Sequence, residues 1–168
     1  MVAILIGWVL VGPVSAATSE PVVHVDDAGR VVAMVIVDAS PEQVRVILAD
    51  TAGSLKDLSP NTLSVEVTSD GPCERVDRQT RGIFQPLTFQ AKRCPTADGW
   101  EETLVESDDF EHYEALWSVR TTDAGTEVIY RIATELTAPV PQVLVRQNLK
   151  QAAGTILRAL VARLSHTQ

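Results

Sequence analysis

At 168 residues the chain is long enough for one domain with its own core and short for two. Its 22 acidic and 14 basic side chains leave a formal charge of −8. That balance argues against a nucleic-acid or anionic-membrane surface, because binding phosphates needs clustered Lys and Arg.

Residues 1–16, MVAILIGWVLVGPVSA, carry no charged side chain and end in small residues around Val14-Ser15-Ala16. This is the pattern of a secretory signal peptide cut after Ala16, although the basic n-region is missing. An uncleaved membrane anchor or a buried N-terminal strand or helix is the alternative. Export predicts a secreted or periplasmic location. Residues 17–29 form a leader with a short strand at Val22 to Asp26 and a turn at Asp27-Ala28-Gly29. The main domain is expected over 30–165.

Arg30 to Val37 is valine-rich and predicts the first secure strand. It runs into a helix start in which Ser40 caps, Pro41 takes the first turn and Gln43 completes a Ser-x-x-Gln capping box. Val44, Ile47 and Leu48 recur at helical spacing to about Ala49. Thr51-Ala52-Gly53 predicts a break, and Ser54 to Leu58 a second short helical turn before Pro60.

From Thr62 to Leu136 the period changes to two, beginning with Leu63, Val65 and Val67 against Ser64, Glu66 and Thr68. Further strands are expected over Cys73–Arg81, Leu87–Cys94, Trp100–Val105, His112–Arg120 and Thr126–Leu136. The short turns between them indicate an antiparallel meander. Counting outward from a turn near Gly82 to Pro86 sets Cys73 and Cys94 nearly opposite each other on adjacent strands. They are either a disulfide, worth about 3 kcal/mol in the chain-entropy picture, or two isolated thiols. No Cys-x-x-Cys occurs, so neither a redox motif nor a zinc knuckle is available.

Pro139-Val140-Pro141 stops the last strand, and Pro141 to about Leu164 carries an apolar stripe through Val145, Leu149, Ala152, Ile156 and Leu160. Such a helix is about 36 Å long, enough to cross a sheet. Gly154 in its middle predicts close packing or a slight bend.

The strand Cys73–Arg81 has no clean apolar face: Arg75, Asp77, Gln79 and Arg81 share one parity, and Glu74, Arg78 and Thr80 share the other with Val76. The first reading is an exposed edge extension; the second is that some polar groups face a cavity, where an inward Arg must be paired. Glu102 and Glu106 read as exposed acids on one strand face. His24, His112 and His166 are far apart, and no triad spacing, nucleophile elbow or phosphate loop is present. The acidic turn Asp108-Asp109, Glu111, His112 and Glu114 lacks the oxygen spacing of an EF-hand, so no metal is assigned.

The run Val35-Ile36-Val37-Asp38-Ala39-Ser40-Pro41-Glu42-Gln43-Val44 followed by Ile47-Leu48-Ala49-Asp50, then Leu58-Ser59-Pro60, and later Trp117-Ser118-Val119 with Gly125-Thr126-Glu127-Val128, resembles the START-like, helix-grip superfamily. The similarity is to its polyketide cyclase/dehydratase and coenzyme Q-binding branch and spans about Arg30 to Leu164. It implies an α+β helix-grip fold: a curved antiparallel sheet of about six or seven strands wrapped on a long C-terminal helix, with two short helices after the first secure strand.

The resemblance also implies binding or transport of a hydrophobic small molecule (a lipid, quinone or polyketide-like compound) in a cavity between sheet and helix. Strand and helix parity nominate Phe89, Trp100, Leu104, Tyr113, Trp117, Tyr130, Ile132, Leu149, Ile156 and Leu160 as its walls. The same residues also serve a filled core. A non-enzymatic role without cofactor is the primary expectation, with membrane contact for ligand exchange and any protein partner left open. The alternatives are a polyketide cyclase/dehydratase-like enzyme, in which Tyr130, Tyr113 or Arg81 would act on protons or anions, and a non-catalytic secreted structural or protein-interaction domain.

Overall fold

The computed structural model describes residues 20–166; the expected signal segment, 1–16, lies outside them. The elements follow in the order β1 (Val22–Val25), β2 (Val31–Val37), α1 (Pro41–Ala49), α2 (Thr51–Leu58), β3 (Thr62–Asp70), β4 (Cys73–Arg81), β5 (Pro86–Pro95), β6 (Gly99–Glu106), β7 (Phe110–Thr122), β8 (Gly125–Leu136) and α3 (Gln142–Ser165).

All strands join one antiparallel sheet of eight, ordered β1-β2-β8-β7-β6-β5-β4-β3. This corrects two parts of the expected architecture. The sheet has eight strands, because the leader strand β1 pairs with β2 from Val22↔Met34 to Val25↔Val31. It is also open, not curved round the helix: β1 and β3 are its two ends and do not pair with each other. The physical reason lies in how the apolar face is covered. α3 packs on β1, β2 and β8 and also touches α2, while α2 lies against β3 at the other end. Two helical elements share the cover, so the sheet need not wrap around one.

β4 is likewise not an edge. It pairs with β3 on one side and β5 on the other, and Val76 and Arg78 of its inward parity are buried. The break between α1 and α2 is also sharper than Thr51-Ala52-Gly53 suggested. Asp50 alone separates the helices, its side chain accepting from the Gly53 N–H, and Thr51 to Gly53 form the first turn of α2. An aspartate that can cap replaces a loop of three residues.

At the start of α1 the capping box is complete. Ser40 Oγ accepts from Gln43 N at 3.2 Å, and Gln43 Oε1 accepts from Ser40 N at 2.8 Å. Ser40→Ala is expected to lower stability by about 1 kcal/mol. A urea melt unchanged within error would show that Pro41 and the packing of Val44, Ile47 and Leu48 hold this turn without the cap.

The core lies between the sheet and the helices, with Val31, Val35, Val44, Leu48, Val128, Leu157 and Leu160 among its buried members. Gly154 is buried where α3 meets β1, and an added Cβ would lie 3.4 Å from Val23 Cγ2. A methyl there would make ordinary contact, so the packing by itself does not require glycine at this position. Cys73 and Cys94 form a disulfide, their Cα atoms 4.3 Å apart, beside the register pair Glu74↔Arg93. No helix among the described residues is long and apolar enough to cross a membrane.

Candidate functional site

A cavity of about 110 Å³ opens between the inner face of β4, β5, β7 and β8 and the first half of α3. Its wall is mostly hydrocarbon because strand parity and helical period point the same kind of side chain inward. Phe89, Phe110 and Tyr113 form an aromatic group on one side, with ring centroids 4.9 Å apart for Phe89–Phe110 and 4.6 Å for Phe89–Tyr113. Ile132 and Leu136 of β8 face Val145, Leu149, Ala152 and Ile156 of α3.

At its outer end the cavity shares Ile83, Leu87 and Leu136 with an adjoining groove of about 460 Å³, which Phe84 and Val140 also line. Phe84 is 83 % exposed, an unusual position for a phenylalanine. The inner cavity alone is below the roughly 300–1,000 Å³ of small-molecule sites. A whole ligand would therefore extend into the groove or move the wall.

Six of the nominated residues, Phe89, Tyr113, Tyr130, Ile132, Leu149 and Ile156, lie on the cavity wall. Trp117 does not reach it. It stacks on Tyr130, centroids 4.4 Å apart, and lines a smaller chamber of about 20 Å³ behind it, with Tyr130 and Ile156. Trp100, Leu104 and Leu160 belong to the core or its margin and line neither space. Trp100 is instead half-buried, with the Arg93 guanidinium carbon 5.1 Å from its ring centroid. Arg81 also contributes to the cavity wall.

The unexpected feature is a buried ionic group at the inner end. Arg78 is 8 % exposed, and Arg93 and Glu102 are 2 % exposed. Glu102 is thus not a surface acid like Glu106. It stands on β6 directly opposite Arg93 on β5, and its two carboxylate oxygens face different arginines. Oε1 is 3.6 Å from Arg93 Nε; Oε2 is 3.8 Å from Arg78 NH1 and accepts the Tyr113 hydroxyl hydrogen bond at 2.8 Å.

The two arginines are used differently. Arg93 pins the α1–α2 junction: its NH2 donates to the Leu48 carbonyl at 2.8 Å and its NH1 to the Thr51 hydroxyl, which in turn donates to Glu74. The Leu48 carbonyl sits at the end of α1, where carbonyls lack a helical partner. Arg78 instead borders both the main cavity and the chamber behind it. Its NH1 donates to Tyr113 at 3.3 Å and its NH2 to Thr62 at 3.5 Å, both long, and its Nε has no acceptor in the protein.

Burial, with the Glu102 carboxylate beside it, pushes the Tyr113 phenol well above its ordinary value. Burial and Glu102 raise Tyr130 as well. Both phenols therefore remain neutral at physiological pH. Burial opposes charge on Arg78, but Tyr113 and Glu102 more than offset it and its pKa ends raised. At Arg93 burial wins, and its pKa is lowered despite Glu102 and Glu74.

A signal for this group is present in the sequence. Phe89, Ala91 and Arg93 share one parity, as do Trp100, Glu102 and Leu104. Opposite charges interrupt two apolar faces on neighbouring strands, a pattern that marks a buried pair once the register is known. Among the described residues no group of His, Cys, Asp and Glu is arranged to hold a metal ion.

The sequence model of the family described as "Polyketide cyclase / dehydrase and lipid transport" matches residues 28–165. TTHA0849 of Thermus thermophilus superposes with a TM-score of 0.72 at 22% identity, covering 83% of this chain and 99% of that one. A START superfamily protein from Mycobacterium smegmatis gives 0.72 at 19% identity over the same shares of 83% and 99%. The Zhui aromatase/cyclase from Streptomyces sp. R1128 gives 0.64 at 19% identity, covering 81% of this chain and 93% of that one. No curated protein matches the sequence. At these identities the structural similarity establishes a shared fold.

Proposed function

Because the chain belongs to the polyketide cyclase/dehydrase and lipid transport family, we propose that it binds and carries a hydrophobic small molecule between the sheet and α3. The observation that carries this reading is the apolar cavity under α3, which shares Ile83, Leu87 and Leu136 with an adjoining groove bordered by the exposed Phe84. An exposed aromatic ring at the outer end of an apolar cavity suits a ligand that is itself apolar and passes that way.

Ala152 is half-buried on the cavity wall, so a larger side chain there occupies the space without removing a core residue. With the neutral fluorescent probe N-phenyl-1-naphthylamine, we expect saturable binding to the wild type and at least tenfold weaker binding to Ala152→Phe. Equal affinity in a folded Ala152→Phe protein would place the probe elsewhere and remove the cavity from this reading.

A cyclase-type reaction is the second reading, and it draws on the Tyr113–Glu102–Arg78 group at the cavity's inner end. Tyr113 held neutral is a hydrogen-bond donor and weak acid, not a base. The residues bordering the cavity include no histidine or cysteine to serve as base or nucleophile. Binding without turnover is the reading these groups favour.

A further inference from the structure

Resting on the cavity reading above, we propose that the site is built for an amphipathic carboxylic acid, whose carboxylate meets Arg78 at the inner end while its aliphatic body lies along the apolar wall towards Ile83 and Phe84.

Three observations carry this assignment. First, Arg78 is more than nine-tenths buried, borders the cavity and is under-satisfied. A guanidinium has five N–H donors. Within the protein this one makes two long hydrogen bonds, both to neutral hydroxyls, and its Nε donates to nothing. A buried donor left unmet costs about 1–3 kcal/mol, and the long bonds of NH1 and NH2 leave room for a better acceptor on a ligand.

Second, its counter-charge is a long ion pair with a carboxylate that it shares. Glu102 lies 3.8 Å from Arg78 NH1 but spends its closest hydrogen bond, 2.8 Å, on Tyr113, and its other oxygen faces Arg93. The remaining acid of the group, Glu74, is tied through Thr51 to Arg93, on the other side of the network. Around the cavity end the nine-tenths-buried charges are thus two arginines and one carboxylate. Tyr113 and Tyr130 add no negative charge.

Third, the chemistry separates a carboxylate from other oxygen ligands. Arginine's planar fork matches two carboxylate oxygens, and such charge-assisted hydrogen bonds are roughly twice as strong as neutral ones. A ketone or alcohol brings a single oxygen and no charge, so it offers neither the two-oxygen match nor the charge assistance. Arg93 Nε also lacks an acceptor, but Arg93 does not border the main cavity and its two other nitrogens are held by the Leu48 carbonyl and Thr51.

The test compares octanoate with 1-octanol by titration calorimetry at neutral pH. We expect the wild type to bind octanoate at least tenfold more tightly, and Arg78→Met, checked for folding by circular dichroism, to lose that preference while still binding 1-octanol. A preference that survives in Arg78→Met would place the carboxylate elsewhere and overturn the assignment. Equal affinities, or tighter binding of 1-octanol, in the wild type would overturn it while leaving the apolar cavity intact. Binding of neither compound would remove the cavity reading and this inference together.

A measurement on the wild type alone guards against a variant that does not fold. Octanoate labelled with carbon-13 at the carboxyl, bound and titrated by NMR, should protonate at lower pH than free octanoate, because Arg78 favours the anion. A bound carboxyl that titrates at or above the free value overturns the assignment, since Glu102 would then dominate its surroundings.

Discussion

Glu102→Gln is expected to destabilise the fold by about 3–5 kcal/mol, the usual cost of leaving a buried charge without its partner. The substitution keeps the shape and an acceptor for the Tyr113 hydroxyl but removes the charge that lies between Arg78 and Arg93. Arg93 retains its route to Glu74 through Thr51, and Arg78 does not. The loss should therefore fall mainly on Arg78. In the Glu102→Gln background, adding Arg78→Met should restore part of the stability, because contacting charges are not additive. Urea unfolding of the single and double variants measures both terms. A single-variant loss below about 1 kcal/mol would mean that water or a local shift already solvates these charges, and the buried-pair account would fall.

Replacing both cysteines with serine should lower stability by about 3 kcal/mol, since the Cys73–Cys94 bridge closes a loop with a sequence separation of 21. The bridge acts mostly by limiting the unfolded chain, so the urea midpoint should drop. It also stands next to the Glu74↔Arg93 pair, and so adjoins the ionic group that holds the α1–α2 junction. If the serine variant unfolds at the wild-type midpoint, the β4–β5 pairing and its short turn would already be restricting the unfolded state as much as the covalent link does.

The local elements were legible because their signals lie within a few residues. The Ser40–Gln43 capping box, the apolar period of α3 and the alternation along β8 each follow from neighbouring positions, and the observed elements start and stop close to where those patterns do. Cys73 and Cys94 could be set opposite each other because a single tight turn, with Gly82 N donating to Gln85 O, fixes the count between them. The cavity wall was partly legible for the same reason: parity places Tyr113, Tyr130 and Phe89 on the inner face. Parity does not say which inner residues meet solvent space and which meet each other. Trp100, Leu104 and Leu160 therefore went to the core side, although their alternation or helical spacing matches that of the cavity residues.

The ionic group was hardest to read because its meaning is pairwise and distant. Sequence leaves β4 as either an exposed edge or a strand with polar groups facing a cavity, and the burial of Arg78 on a strand paired on both sides decides for the second. Glu102 looked like one of several surface acids until the β5–β6 register set it against Arg93. A charge on a strand is cheap in water and costly inside, and what packs on its face and which charge stands opposite decide the outcome.

The amino-acid sequence by itself thus determined the element types and their order, the inward parity of the strands with an apolar face and the family, all of which depend on short-range pattern. The tertiary structure alone decided that the sheet has eight strands and stays open, with α3 over one end and α2 at the other. It alone decided that one buried arginine is consumed in holding two helices together and the other is left facing a cavity. Those outcomes depend on which surfaces meet across the fold, and the free energy of a buried charge is set by that meeting.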